Sequence, residues 1–262
     1  MLTAARAFIP RTATGRALPH IPELSRLYQQ FGVRLTHGSI VMIAGRPGSG
    51  KSTFALWLAL KMELETMYFS ADMSATTATA RMAAFYTGDT VNEVHAARDS
   101  GEYVKYIDAL GRSKVQFSFG SPISWRNVEQ YIEAYVEVHD RYPELFIFDN
   151  LMDFEDAEAD YQVQMEVMQR VTELARYTGS TVMILHHATD KGAYAPSAPP
   201  SRAQIKNGIG EKPEFVFGVG LDPTTNEFGV AVLKQREGKS DPSGQKYTSL
   251  RADPERNRYD VF

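Results

Sequence analysis

The sequence predicts an α/β fold in which a mostly parallel sheet is flanked by helices and extended by antiparallel C-terminal edge strands. Three observations predict it. First, Gly45-Arg46-Pro47-Gly48-Ser49-Gly50-Lys51-Ser52 fits the phosphate-loop pattern G-x-x-x-x-G-K-[ST] at every fixed position, between an apolar run at 39–44 and a helix-forming run at 54–60. Second, short β-branched apolar runs alternate with amphipathic segments as far as residue 185, as in a parallel sheet covered on both faces. Third, strand follows strand beyond residue 213.

Composition bounds the function classes. Of 262 residues, 43% are hydrophobic and 23% charged, which suits one large domain with a sizeable core. No apolar run approaches bilayer length, so no membrane association is expected. The absence of cysteine excludes disulfides and cysteine-bound zinc. With a net charge of -4, nucleic-acid affinity has to come from local basic patches.

The elements follow in order. Residues 1–31 are read as an N-terminal arm or linker. Its first twenty residues hold Arg6, Arg11 and Arg16 without an acid, which a targeting peptide would share, and 21–32 is a short amphipathic helix candidate. The main domain is assigned to 32–262. At the phosphate loop, backbone N–H groups and the positive end of the helix dipole converge on an anion. Gly48 and Gly50 let the backbone curl close to phosphate oxygens. Lys51 is placed to reach the β- and γ-phosphates and Ser52 to ligate Mg²⁺, with Thr53 ending the binding segment. The chain is therefore expected to bind a nucleoside triphosphate.

Further strands are expected at 66–70, 115–119, 145–148 and 181–185, with helices at 74–87, two short ones within 91–111, and at 125–140 and 161–177. Strands at 215–221, 228–233 and 247–250 read as hairpins at the sheet edge. Residues 188–210 interrupt this pattern. They contain Pro196, Pro199 and Pro200, little periodicity, and the cations Lys191, Arg202 and Lys206 with no acid from 191 to 210. A loop of that length is functional or mobile, and these cations are candidate DNA-phosphate contacts.

Asp149 closes an apolar strand, so its carboxylate is expected at the C-terminal sheet edge, holding Mg²⁺. Asn150 follows it, so the carboxylate that activates water has to come from elsewhere. Asp72, at the end of the 66–70 strand, is the candidate, although a helix N-cap is its alternative role. His186 and His187 end the 181–185 strand at the same edge. His187 is the candidate γ-phosphate sensor, and a pair of core histidines is the alternative.

These elements, in this order, resemble the RecA-like ATPase domain of the DnaB-type replicative helicase family from about Gly32 onward. Ala44 to Ser52 is close to that family's A-x-R-P-x-x-G-K-T, with Ser52 for Thr. Phe69-Ser70-Ala71-Asp72-Met73, followed by Arg81, resembles its F-S-L-E-M segment, with aspartate for the catalytic glutamate. That change shortens the reach by about 1.5 Å and predicts slow hydrolysis. Phe146 to Leu151 is similar to the Walker-B strand, His187 stands at the polar sensor position, and Lys234-Gln235-Arg236-Glu237-Gly238 looks like K-x-R-x-G.

The resemblance implies ATP and Mg²⁺ as ligands and single-stranded or forked DNA as partner. It also implies a homo-oligomer, by default a hexamer, in a bacterial or phage-infected cytoplasm. Arg236, with Lys234, would then enter a neighbour's ATP site as an arginine finger. Only some thirty residues precede the core, which departs from family members that carry a sizeable N-terminal domain and puts primase recruitment in doubt. The lead expectation is an ATP-dependent DNA motor in replication or recombination. A non-motor DNA-processing or loader protein with weak ATPase, and a KaiC-type regulatory ATPase not acting on DNA, are the alternatives.

Overall fold

A computed structural model describes residues 14–158, 160–190 and 195–262. Nine strands form one sheet: β1 (Ile40–Gly45), β2 (Thr66–Ser70), β3 (Val115–Ser118), β4 (Leu145–Asp149), β5 (Thr181–His187), β6 (Phe215–Asp222), β7 (Glu227–Gln235), β8 (Tyr247–Asp253) and β9 (Arg258–Val261). Their order is β3-β2-β4-β5-β1-β6-β7-β8-β9. The first six pair in parallel and the last three are joined antiparallel. The helices are α1 (Ser25–Phe31), α2 (Lys51–Met62), α3 (Ala75–Thr87), α4 (Val91–Ser100), α5 (Val104–Leu110), α6 (Trp125–His139) and α7 (Tyr161–Thr178).

Both faces of the sheet are covered, which is why its central strands are apolar without alternation. Successive side chains of β1 point to opposite faces. Val41 and Ile43 join the core beside Phe54, Trp57 and Leu58 of α2. Ile40, Met42 and Ala44 join the other core, with Val128 of α6 and Val167 and Val171 of α7. Helices α3, α4 and α5 add a small cluster of their own around Ala83, Val94 and Tyr106. Ser74 caps α3 by accepting from Thr77 N, and Thr90 forms a capping box with Glu93 on α4.

The structure corrects three expectations. Residues 14–31 are not a detached arm. Gly15 N and Leu18 N donate to His37 O and Leu35 O, both at 2.9 Å, and Leu18, Ile21, Leu27 and Phe31 are buried in the main core. A hydrophobic residue roughly every third position gives this segment a face that it buries against the sheet. Within it, a 3₁₀ turn at Pro22–Leu24 precedes α1. Residues 1–13, with Arg6 and Arg11, lie outside the described residues. Second, β6 forms the expected antiparallel hairpin with β7 but is not at the sheet edge; it pairs in parallel with β1, Gly45 standing opposite Val219. Third, β9, a short charged strand beyond the three expected at the C-terminus, forms the edge opposite β3.

Most of the 188–210 segment is not a free loop either. Ser197, Pro199 and Pro200 are buried, and 3₁₀ turns follow at Arg202–Gln204 and Lys206–Glu211. The buried stretch lies across glycines of β6 and β7. A Cβ on Gly220 would stand 2.7 Å from Ala198 O, and one on Gly229 2.2 Å from Ser197 O. Only residues without a side chain admit a second layer of backbone at that distance.

Candidate functional site

The strand register assembles the site. Gly45 stands opposite His187 across β1 and β5, Phe148 opposite Ile184 across β4 and β5, and Ser70 opposite Asp149 across β2 and β4. The phosphate loop, His187, Asp149 and Asp72 therefore emerge side by side at the C-terminal sheet edge, where open α/β sheets bind ligands.

Gly48 and Gly50 take left-handed φ values of 73° and 78°, and Gly50 caps the N-terminus of α2. Beneath the loop, Phe54 packs 4.9 Å from Phe228 and 5.3 Å from Tyr259, ring centroid to centroid, so β7 and β9 support the start of α2. Lys51 Nζ donates to Gly45 O at 3.1 Å and Arg46 O at 3.0 Å, and lies 3.4 Å from His187 Nδ1. Burial lowers the Lys51 amine to about 8 despite the attraction of Asp149 and Asp72.

Asp149 is 2% exposed. Tyr68 Oη donates to its Oδ2 at 2.9 Å, and the Ser52 hydroxyl hydrogen-bonds the same carboxyl group. Burial nonetheless raises its pKa above the ordinary carboxylate range. A divalent cation beside it would reverse that, since a buried carboxylate needs a compensating charge. Ser52 and Asp149 are thus a hydroxyl and a carboxylate suited to Mg²⁺, which takes few protein ligands alongside phosphate and water. No cluster of three or more His, Asp or Glu ligands is present among the described residues.

The capping role goes to Ser74, which leaves the exposed Asp72 carboxylate for the site. Asn150 Nδ2 lies 3.4 Å from Asp72 Oδ2 and 3.5 Å from His187 Nε2. Asn150 is 2% exposed, and its own N–H donates to Asp153 Oδ2 at 2.8 Å. Burial raises the Asp153 carboxyl to about 6, with Asp72 and Asp149 adding repulsion. Sequence reasoning placed neither Asn150 nor Asp153 in the site; the strand-end position of Asn150, one residue from Asp149, was the available signal.

The two histidines divide the roles open to them. His186 is fully buried, its Nε2 lies 3.1 Å from Lys206 O, and burial lowers it to about 4. His187 is half-buried at the site and lowered to about 4, by burial first and then by Lys51 and Lys206.

The other predicted residues lie further out. Arg46 directs its guanidinium to Ala198 O, at 2.9 Å, and Gln204 Oε1, at 3.5 Å. Arg202 pairs with Glu211 at 3.4 Å. Lys206 is close enough to lower Lys51 and His187, so it borders the nucleotide site. Lys191 lies outside the described residues. Lys234 Nζ donates within its own chain to Glu211 O and to Pro213 O, the latter at 2.7 Å. Arg236 is 60% exposed and lies 3.4 Å from Glu214. It stands at the opposite sheet edge: Gly45 aligns with Val219, and Val219 with Val230, six residues before Arg236. At about 3.3 Å per residue, Arg236 is about 20 Å from its own phosphate loop.

Solved structures share this architecture. One solved ATPase domain superimposes with a TM-score of 0.75 at 17% identity, over 96% of this chain and 93% of that one. A DnaB-like replicative helicase, solved with attention to its interactions with primase, matches with a TM-score of 0.75 at 16% identity, over 94% of this chain and 62% of that one. At such identities the likeness establishes the RecA-like fold. The Gene 65 protein of Mycobacterium phage L5 is 31% identical over 247 residues, covering 90% of this chain and 91% of the relative. The AAA domain family model matches residues 4–193. The chain belongs to the AAA domain family and is a relative of the mycobacteriophage Gene 65 proteins.

Proposed function

We propose that the protein is an ATP-hydrolysing, DNA-acting motor ATPase of the DnaB type that works as a homo-oligomer, a hexamer or related ring. The observation that carries this reading is the juxtaposition of Lys51, His187, Asn150, Asp72 and Asp149 at one sheet edge, with the exposed Arg236 at the other.

The phosphate loop binds the triphosphate, and the Lys51 amine leaves the carbonyls of Gly45 and Arg46 for phosphate oxygens. Ser52 and Asp149 hold Mg²⁺, which neutralises phosphate charge when bound. A neutral imidazole offers one acceptor. His187 faces the Lys51 amine through Nδ1 and the Asn150 amide through Nε2, and once that amine moves to phosphate its ring is placed to meet the γ-phosphate. Asp72, with Asn150 beside it, orients the attacking water and takes its proton. An Arg236 about 20 Å from its own loop acts on a neighbour's nucleotide, not its own. Lys234, tied to its own chain, serves to fix the base of that strand end. Arg202 and Lys206, with Lys191, supply the DNA-phosphate contacts.

The test is ATP turnover by the purified chain with and without single-stranded DNA, together with strand displacement on a forked duplex. Turnover is expected to rise with DNA and the duplex to open, while Lys51→Ala lowers turnover by at least about 100-fold. Unchanged turnover in Lys51→Ala would sink the scheme. A second reading, a non-motor DNA-processing protein with weak ATPase, is favoured by the short side chain of Asp72 and the Arg202–Glu211 pairing. Turnover and DNA binding without strand displacement would select it. Absence of salt-dependent DNA binding would instead select a regulatory ATPase of the KaiC type.

A further inference from the structure

Arg46 lies within the phosphate loop, yet its side chain leaves it. The residue is 5% exposed, and Nη1 donates to Ala198 O at 2.9 Å while Nη2 approaches Gln204 Oε1 at 3.5 Å. The segment it holds is built into the fold on both sides of that contact. Upstream, Ser197 to Pro200 lies on the glycine floor; besides Gly220 and Gly229, a Cβ on Gly244 would stand 2.6 Å from Pro200 O. Downstream, Gln204 O accepts from Thr189 N at 2.7 Å, Gln204 Oε1 accepts from Ser201 N at 2.8 Å, and Lys206 O lies 3.1 Å from His186 Nε2.

The backbone of Arg46 belongs to a second network. Arg46 O and Gly45 O both accept from the Lys51 amine, and Gly45 O also accepts from Ala188 N at 3.0 Å. Phosphate oxygens compete for that amine, because a charged donor bonds an anion more strongly than a neutral carbonyl. When the amine moves to phosphate, the Gly45 and Arg46 peptides lose a shared anchor. The planar guanidinium, bonded to Ala198 O and close to Gln204 Oε1, transmits the resulting movement to the segment at 197–206.

We infer that Arg46 is a positioning residue that couples the phosphate loop to the 197–206 segment, so that nucleotide occupancy sets the placement of Arg202 and Lys206. This goes beyond a role in binding phosphate. It rests on the nucleotide-binding part of the reading above and needs no DNA.

Amide hydrogen exchange on the full chain, with and without saturating ATPγS, tests it. In the wild type, peptides covering 197–206 should change their exchange rate by at least about fivefold when nucleotide binds. Arg46→Lys keeps the charge but loses the two-pronged donor, and Gln204→Ala removes one acceptor from a half-exposed position. Each should cut that change to less than half; in Gln204→Ala, which leaves the phosphate loop untouched, the peptide covering 45–53 should still respond to nucleotide. Gln204→Ala decides the matter if Arg46→Lys does not fold. A change of half the wild-type size or more in either variant overturns the inference. So does an unresponsive 197–206 in a wild type whose 45–53 responds, and the functional reading survives that result. If 45–53 itself never responds, the nucleotide-binding reading fails and the inference with it.

Discussion

Single side chains at the C-terminal sheet edge differ in how their protonation links to folding. His186 is held to about 4 against an ordinary 6.5, because burial penalises its charged form. Between those values the unfolded chain binds more protons than the folded one, so stability present above pH 6.5 is lost as pH falls toward 4. His187 contributes in the same direction, whereas Asp153, raised to about 6, opposes it below that pH. His186→Gln should therefore flatten the acid limb of the stability curve by up to about 3 kcal/mol, measured by urea unfolding from pH 7 to pH 4. An acid limb as steep as that of the wild type would refute the assignment. Asp72 makes a kinetic prediction. Asp72→Asn keeps the size of the side chain but cannot accept a proton, so kcat for ATP should fall by about 100-fold with nucleotide affinity retained. A turnover loss of less than about threefold would move the base elsewhere, with Asp153 next in line.

Elements decide how rigidly those side chains are presented. The start of α2 rests on an aromatic cluster of Phe54, Trp57, Phe228 and Tyr259, drawn from α2, β7 and β9. Tyr259 is 3% exposed, so Tyr259→Ala should destabilise the fold by about 3–5 kcal/mol, read from the urea midpoint at constant m. A shift below about 1 kcal/mol would show that β9 is not part of the support. This element was the least legible in the sequence. Arg258–Val261 has four residues, one of them buried, and its pairing depends on β8 rather than on its own pattern. The phosphate loop was legible because glycine, lysine and serine at fixed spacing are themselves the chemistry. Asp149 was legible because an apolar strand ending in a carboxylate has one geometry at a sheet edge. Asn150 needed the β2–β4 register to bring it to Asp72. The buried 197–200 stretch has no periodicity of its own; what fixes it is the absence of side chains at Gly218, Gly220 and Gly229 on other strands.

The whole molecule is a sheet whose two ends carry different functional groups. One edge carries the phosphate loop and its carboxylates; the other carries Arg236, exposed and held beside Glu214. Neither half reaches the other within one chain. The fold class followed from the alternation of strands and helices together with the phosphate loop; the strand order and the place of Arg236 at the opposite edge needed the register. The docking of residues 14–31 did not, because short apolar spacing looks the same on a detached helix as on one buried against its own sheet. No helix among the described residues is long and apolar enough to cross a membrane. The most direct test of a site completed by a neighbour is ATP turnover in mixtures of Lys51→Ala and Arg236→Ala chains, each inactive alone. Mixed assemblies contain interfaces that pair an intact phosphate loop with an intact Arg236. Turnover should therefore reappear and peak near equal proportions, at about a quarter of the wild-type rate if subunits mix at random. Mixtures that assemble yet stay inactive at every ratio would contradict the account.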